Sequence, residues 1–128
     1  MRNLHTLAGL RTLIFASALA AAALASPIAW AHASLKHSNP DAGATLAAAP
    51  QEITLTFNEK VEAAFSSITL ADGGGKVVAA GQAKGDAADP AILRVQVPAL
   101  PAGAYSVHWA AAGHDGHRIK GDFKFKVK

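Results

Sequence analysis

The chain contains no cysteine, and its single methionine is Met1. The first absence excludes a disulfide framework, a zinc–thiolate site and a cysteine nucleophile. The second removes thioether ligands from everything beyond the first residue, so a metal that prefers soft sulfur has nothing to bind. A dominant charge is also missing. Twelve Lys and Arg face nine Asp and Glu, a formal net charge of +3, and two of the cations, Arg2 and Arg11, lie in the opening segment. Without residues 1–31 the balance is ten against nine, with no basic run, which excludes an electrostatic footprint for nucleic acid. Residues 32–128 suffice for one modest core and leave little spare chain for an elaborate substrate cleft.

The opening segment reads as an export signal. Met1–Arg11 carries two arginines and no acid, Thr12–Leu24 is apolar, and Pro27 breaks the run before Ala29-Trp30-Ala31. That small-x-small pattern is what a signal peptidase reads, and the apolar run is short for a membrane span of ~20 residues. No Arg-Arg pair is present, which favours the general secretion route. Cleavage after Ala31 makes His32 the new first residue of an exported protein. A competing Ala23-Leu24-Ala25 would start the chain at Ser26 but leaves hardly any polar spacer after the apolar run.

From residue 32 onward, two-residue alternation replaces helical periodicity. Ile53, Leu55 and Phe57 alternate with Glu52, Thr54 and Thr56; Leu93, Val95 and Val97 with Arg94 and Gln96; Tyr105, Val107 and Trp109 with Ala104, Ser106 and His108. Phe123, Phe125 and Val127 alternate with Asp122, Lys124, Lys126 and Lys128. Each run has one apolar and one wet face, the pattern of half-buried antiparallel strands. Further strands are expected at Ser34–His37, Phe65–Leu70 and Lys76–Ala79, and Thr45–Ala49 reads as loop. Turn residues fall between the runs, as in Asn39-Pro40-Asp41, Asp72-Gly73-Gly74-Gly75 and Asp89-Pro90. The expectation is a single all-β domain over 32–128, a seven-stranded Greek-key β-barrel or sandwich.

Five histidines follow the cleavage point: His32, His37, His108, His114 and His117. His114-Asp115-Gly116-His117 holds a D-x-H whose two side chains project to one side of an extended segment, with Gly116 free to bend. Alone, that motif is equally a turn-capping Asp beside a surface His. A free N-terminal His32 adds an α-amine and a ring nitrogen that chelate one ion. Two or three nitrogens and a carboxylate, without thiolate, suit tetragonal Cu(II), with Zn(II) the main competitor and oxygen-seeking Ca(II) and Mg(II) disfavoured. His108 falls on the polar face of its strand as a solvated histidine, and His37 shares the parity of Leu35 in a structural role. His114 stays open between a third imidazole, a hydrogen-bond donor behind the ligands and a bystander.

These residues resemble the periplasmic copper-binding CopC family over essentially the whole of 32–128. The resemblance runs from His32-Ala33-Ser34-Leu35 through Ser38-Asn39-Pro40-Asp41-Ala42-Gly43 and Ile53-Thr54-Leu55-Thr56-Phe57-Asn58-Glu59. It continues through Pro101-Ala102-Gly103-Ala104-Tyr105-Ser106-Val107-His108-Trp109 to Asp115-Gly116-His117 and Gly121-Asp122-Phe123-Lys124-Phe125. It implies a cupredoxin- or immunoglobulin-like Greek-key fold and one Cu(II) held by His32, Asp115 and His117. The family's Phe-Ser-Glu falls on Phe57-Asn58-Glu59, making Glu59 a weak ligand or a carboxylate close behind the ligands. Two departures stand out. Residues 70–90 lack the methionine-rich Cu(I) loop of some members, and Gly113-His114 replaces the Ser-x that often precedes D-x-H.

The expected function is therefore a non-catalytic, monomeric Cu(II) carrier or buffer in copper resistance or homeostasis, one that delivers to an inner-membrane transporter of the CopD kind. Protons compete for the amine and imidazoles, so copper affinity falls as pH drops towards ~6. Two other classes compete with this reading. A copper-dependent oxidative enzyme of the histidine-brace type also uses an N-terminal histidine, but needs a second histidine and an open oxygen-binding position over a broad, flat substrate face, and an Asp ligand would tie up a coordination position. A metal-free immunoglobulin-like interaction module makes the histidines incidental.

Overall fold

A computed structural model describes residues 33–128; the expected leader 1–31, its cleavage point and His32 fall outside the described residues. Among these, nine strands form two sheets. The first has the order β1 (Leu35–Asn39), β3 (Glu52–Phe57), β7 (Ile92–Gln96), β6 (Lys84–Gly85). The second runs β2 (Thr45–Leu46), β9 (Arg118–Val127), β8 (Gly103–Ala112), β4 (Ser67–Asp72), β5 (Val77–Gln82). Pairing is antiparallel throughout except between β2 and β9. The chain changes sheet at five of its eight connections, the interleaving of a Greek key.

Seven strands have five residues or more and correspond to the seven expected, four from alternation and three further candidates. Three details differ. The sheets do not close into a barrel, so the sandwich form is the correct one. Thr45–Leu46, expected as loop, is a short strand lying parallel to Lys126–Val127. Phe65 is not the start of a strand: Ala63–Phe65 is a 3₁₀ turn, closed by Phe65 N–H to the Glu62 carbonyl and Ser66 N–H to the Ala63 carbonyl, and β4 begins at Ser67.

The alternation has its expected consequence in burial. Ile53, Leu55 and Phe57 of β3 face inward to meet Tyr105, Val107 and Trp109 of β8 and Phe123, Phe125 and Val127 of β9. Two aromatic contacts tie this core together. Tyr105 stacks on Phe125, and Trp109 stands edge-on to Phe57 at a centroid distance of 5.4 Å and 75°. The second of these holds β3 and β8 together one residue before Asn58 and four before Gly113. Since Leu35 pairs with Phe57 and Ala112 with Arg118, the start of β1, the ends of β3 and β8 and the start of β9 gather at one end of the sandwich.

Candidate metal centre

At that end, β8 and β9 are joined by residues 113–117, and the backbone of Gly113 closes the loop from both sides. Its N–H donates to the His117 carbonyl (2.8 Å) and its carbonyl accepts from Gly116 N–H (3.0 Å). Gly116 sits at φ +86°, the left-handed region open to glycine without strain. The D-x-H segment is thus a tight turn, not the extended stretch expected from its spacing. Asp115 and His117 converge because the turn folds the carboxylate back. Asp115 Oδ1 accepts from His117 N–H at 3.0 Å, and Oδ2 lies 2.9 Å from His117 Nδ1. The backbone N–H of His117, followed by its ring, holds the Asp115 carboxyl below the usual carboxylate range against a partial desolvation; the charges of His117 and His114 add to the effect.

Two segments meet this loop, 59–62 and the start of the described chain at Ala33. Gly113 bridges Val61, and Glu62 N–H donates to the Ala112 carbonyl at 2.8 Å, so 59–62 runs alongside the end of β8. Glu59 Oε1 is buried and has no hydrogen-bond partner among the described residues. A Cβ built on Gly113 would stand 2.8 Å from Asp115 Oδ1, 3.6 Å from Glu59 Oε1 and 3.7 Å from the Ala33 Cβ. Two carboxylates and the residue that follows His32 therefore surround one point. A buried carboxylate oxygen without a donor is costly, and a cation beside it removes that cost.

The start of the described chain is fixed there by contacts that sequence patterning does not reveal. Ala33 is buried in the core cluster. Ser34 N–H donates to Asn58 Oδ1 at 2.7 Å, and Asn58 N–H donates to the Ser34 carbonyl at 3.0 Å. Ser66, buried behind the loop, donates its hydroxyl to the Glu62 carbonyl and accepts from Ala112 N–H. Ser66 escaped the sequence reading, and Asn58 and Gly113 entered it only as members of quoted motifs, without a role. Adjacency to Glu59 was the signal for Asn58 and the departure before D-x-H the signal for Gly113; Ser66 had none.

The other histidines lie elsewhere or stand apart. His114 is exposed on the loop, close enough to act on Asp115 by charge. His108 is exposed on the outer face of β8, opposite Asp122 and Thr69. A bulge between Leu35 and His37 breaks the parity expected for β1, so Ser38 is buried and His37 is exposed, with Nδ1 3.5 Å from Asp41 Oδ1. Among the described residues, no three His, Asp or Glu side chains cluster tightly enough to hold a metal. Asp115, His117 and Glu59 do not by themselves make such a cluster.

A family model described as the CopC domain matches residues 35–128. Protein YobA of Escherichia coli strain K12 is 39% identical over 119 residues, covering 92% of this chain and 96% of the relative. Among solved structures, CopC from Methylosinus trichosporium OB3b superposes with a TM-score of 0.73 at 38% identity, covering 76% of this chain and 94% of that one. PcoC, a methionine-rich copper resistance protein from Escherichia coli, gives 0.66 at 37%, covering 77% and 100%.

Proposed function

The chain belongs to the CopC family, and from that premise we propose that it is an exported protein that binds one Cu(II) and carries or buffers it in copper resistance or homeostasis. The observation that carries the proposal is the convergence on Gly113: Asp115, Glu59 and the start of the described chain approach one point, with His117 hydrogen-bonded to Asp115. His32 is bonded to Ala33, and consecutive Cα atoms stand ~3.8 Å apart, so an N-terminal histidine begins within reach of the loop. Cleavage after Ala31 frees its amine. The ring and amine of His32 supply the further donors, and His117 and Asp115 complete a mixed nitrogen–oxygen set. Glu59 adds negative charge behind it.

Such a set favours the oxidised ion, because Cu(I) prefers sulfur. Residues 32–128 hold no methionine, in contrast to the methionine-rich PcoC. The proposal assigns the protein no catalysis. Its place is the periplasm, its state monomeric, and the recipient of its copper is a membrane transporter of the CopD kind.

The test is a competitive Cu(II) titration of the processed chain beginning at His32, beside the same chain with one residue added before it. One tight equivalent that the extra residue abolishes or greatly weakens is the expected result. Equal binding by both places the site away from the chain start and refutes the ligand set. No tight binding by either refutes the copper reading. Mass determination of the exported protein checks the cleavage point independently.

A further inference from the structure

We propose that Gly113 is a positioning residue of this site: the absence of a side chain there lets the Asp115 carboxylate lie against the end of β8, facing Glu59 and the start of the described chain. The inference rests on the copper reading for its consequence in binding, though not for its geometry. Gly113 is buried, and its backbone cannot easily yield. It bridges Val61, donates to the His117 carbonyl and accepts from Gly116. Its φ is not in the left-handed region, unlike that of Gly116, so conformational freedom does not explain a glycine here. Space does. A Cβ would fall 2.8 Å from Asp115 Oδ1, closer than carbon and oxygen approach without bonding, and would also touch Glu59 Oε1 and Ala33.

The conflict is resolved most cheaply by moving Asp115, since its side chain is short and partly exposed. Its Oδ1 also accepts from His117 N–H, and its Oδ2 meets His117 Nδ1. Any outward shift of the carboxylate therefore lengthens the bond that closes the turn and re-aims the imidazole. Alanine at 113 separates the two presumed copper donors from the arrangement that the turn now fixes, while the strands on either side keep their pairing.

The experiment compares the wild type with Gly113→Ala in the processed protein, first without metal. Amide hydrogen exchange at His117 is expected to accelerate by about tenfold as its bond to Asp115 Oδ1 loosens, with the thermal midpoint little changed. In Cu(II) titration the affinity is expected to drop by roughly tenfold, the lower end of what disturbing a ligand's support costs, and the Cu(II) electron paramagnetic resonance spectrum to shift. Unchanged exchange overturns the proposal, whatever the metal does. If the wild type binds no copper while exchange responds, the copper reading falls and the positioning role stands. Should Gly113→Ala fold poorly, Asp115→Ala is added to it. Rescue by the second change places the conflict at the carboxylate, and failure to rescue overturns the proposal.

Discussion

Gly121 and Trp109 face each other across β9 and β8, and the glycine leaves the room in which the indole lies. A Cβ on Gly121 would stand 2.6 Å from Trp109 Cζ2 and 2.8 Å from Cε2. The indole cannot simply swing aside, because it is nearly buried and edge-packed on Phe57. Gly121→Ala should therefore cost about 1–3 kcal/mol of overpacking. The backbone φ of Gly121 is not left-handed, so alanine also stabilises by about 0.4–1 kcal/mol through a less flexible unfolded chain. The net expectation is a destabilisation of about 1–2 kcal/mol, which for a domain of this size lowers Tm by roughly 5–15 °C. Trp109 is the only tryptophan in 32–128, so its emission reports the displaced ring directly. The internal control is Gly73→Ala. Its Cβ meets nothing closer than the Ala104 carbonyl at 3.5 Å, and its φ is equally unstrained, so the change should be neutral or slightly stabilising. A Gly121→Ala protein as stable as the control, with unaltered emission, would refute the steric argument.

Asn58→Ala removes the acceptor of Ser34 N–H, and should lower Cu(II) affinity by about tenfold while costing only about 0.5–1.5 kcal/mol in urea unfolding. An affinity equal to wild type in the same titration would show that the chain start does not depend on this clamp. Asp86 offers a pH test away from the site. The side-chain hydrogen bond from Arg94, with the Ala88 N–H next, holds its carboxyl below the ordinary value of 3.8. A lowered folded-state pKa means stability that is present above 3.8 and lost as pH falls through the lower folded value. Asp86→Asn should flatten the acid limb of the stability curve in that window, and parallel curves for the two proteins would contradict it.

Strands were legible because a half-buried sheet writes a two-residue period into the sequence, as in Ile53-x-Leu55-x-Phe57 and Phe123-x-Phe125-x-Val127. The period fails where pairing is brief or irregular. Thr45–Leu46 has too few residues to show one, and the bulge after Leu35 shifted the parity that put His37 inward. Phe65 misled for a different reason. Its β-favouring side chain extends the run of β4 on paper, but Ser66 makes the turn by donating to the Glu62 carbonyl, and the ring is left 64% exposed.

The site was partly legible, and its mechanism was not. Spacing alone brought Asp115 and His117 together by assuming an extended segment, whereas the structure brings them together by a turn in which the carboxylate serves as a backbone acceptor. The difference matters for function. In an extended segment, both side chains would be independent, and either could be replaced without moving the other. In the turn, Asp115 shapes the loop that aims His117, so replacing it alters two side chains at once. The geometry thus couples the loop's own folding to the placing of Asp115 and His117, and Gly113, which has no functional group at all, decides where that coupled pair sits relative to Glu59 and Ala33. No periodicity or motif marks such a residue, because its contribution is an empty volume. Only placing the four elements at one end of the sandwich makes that volume visible.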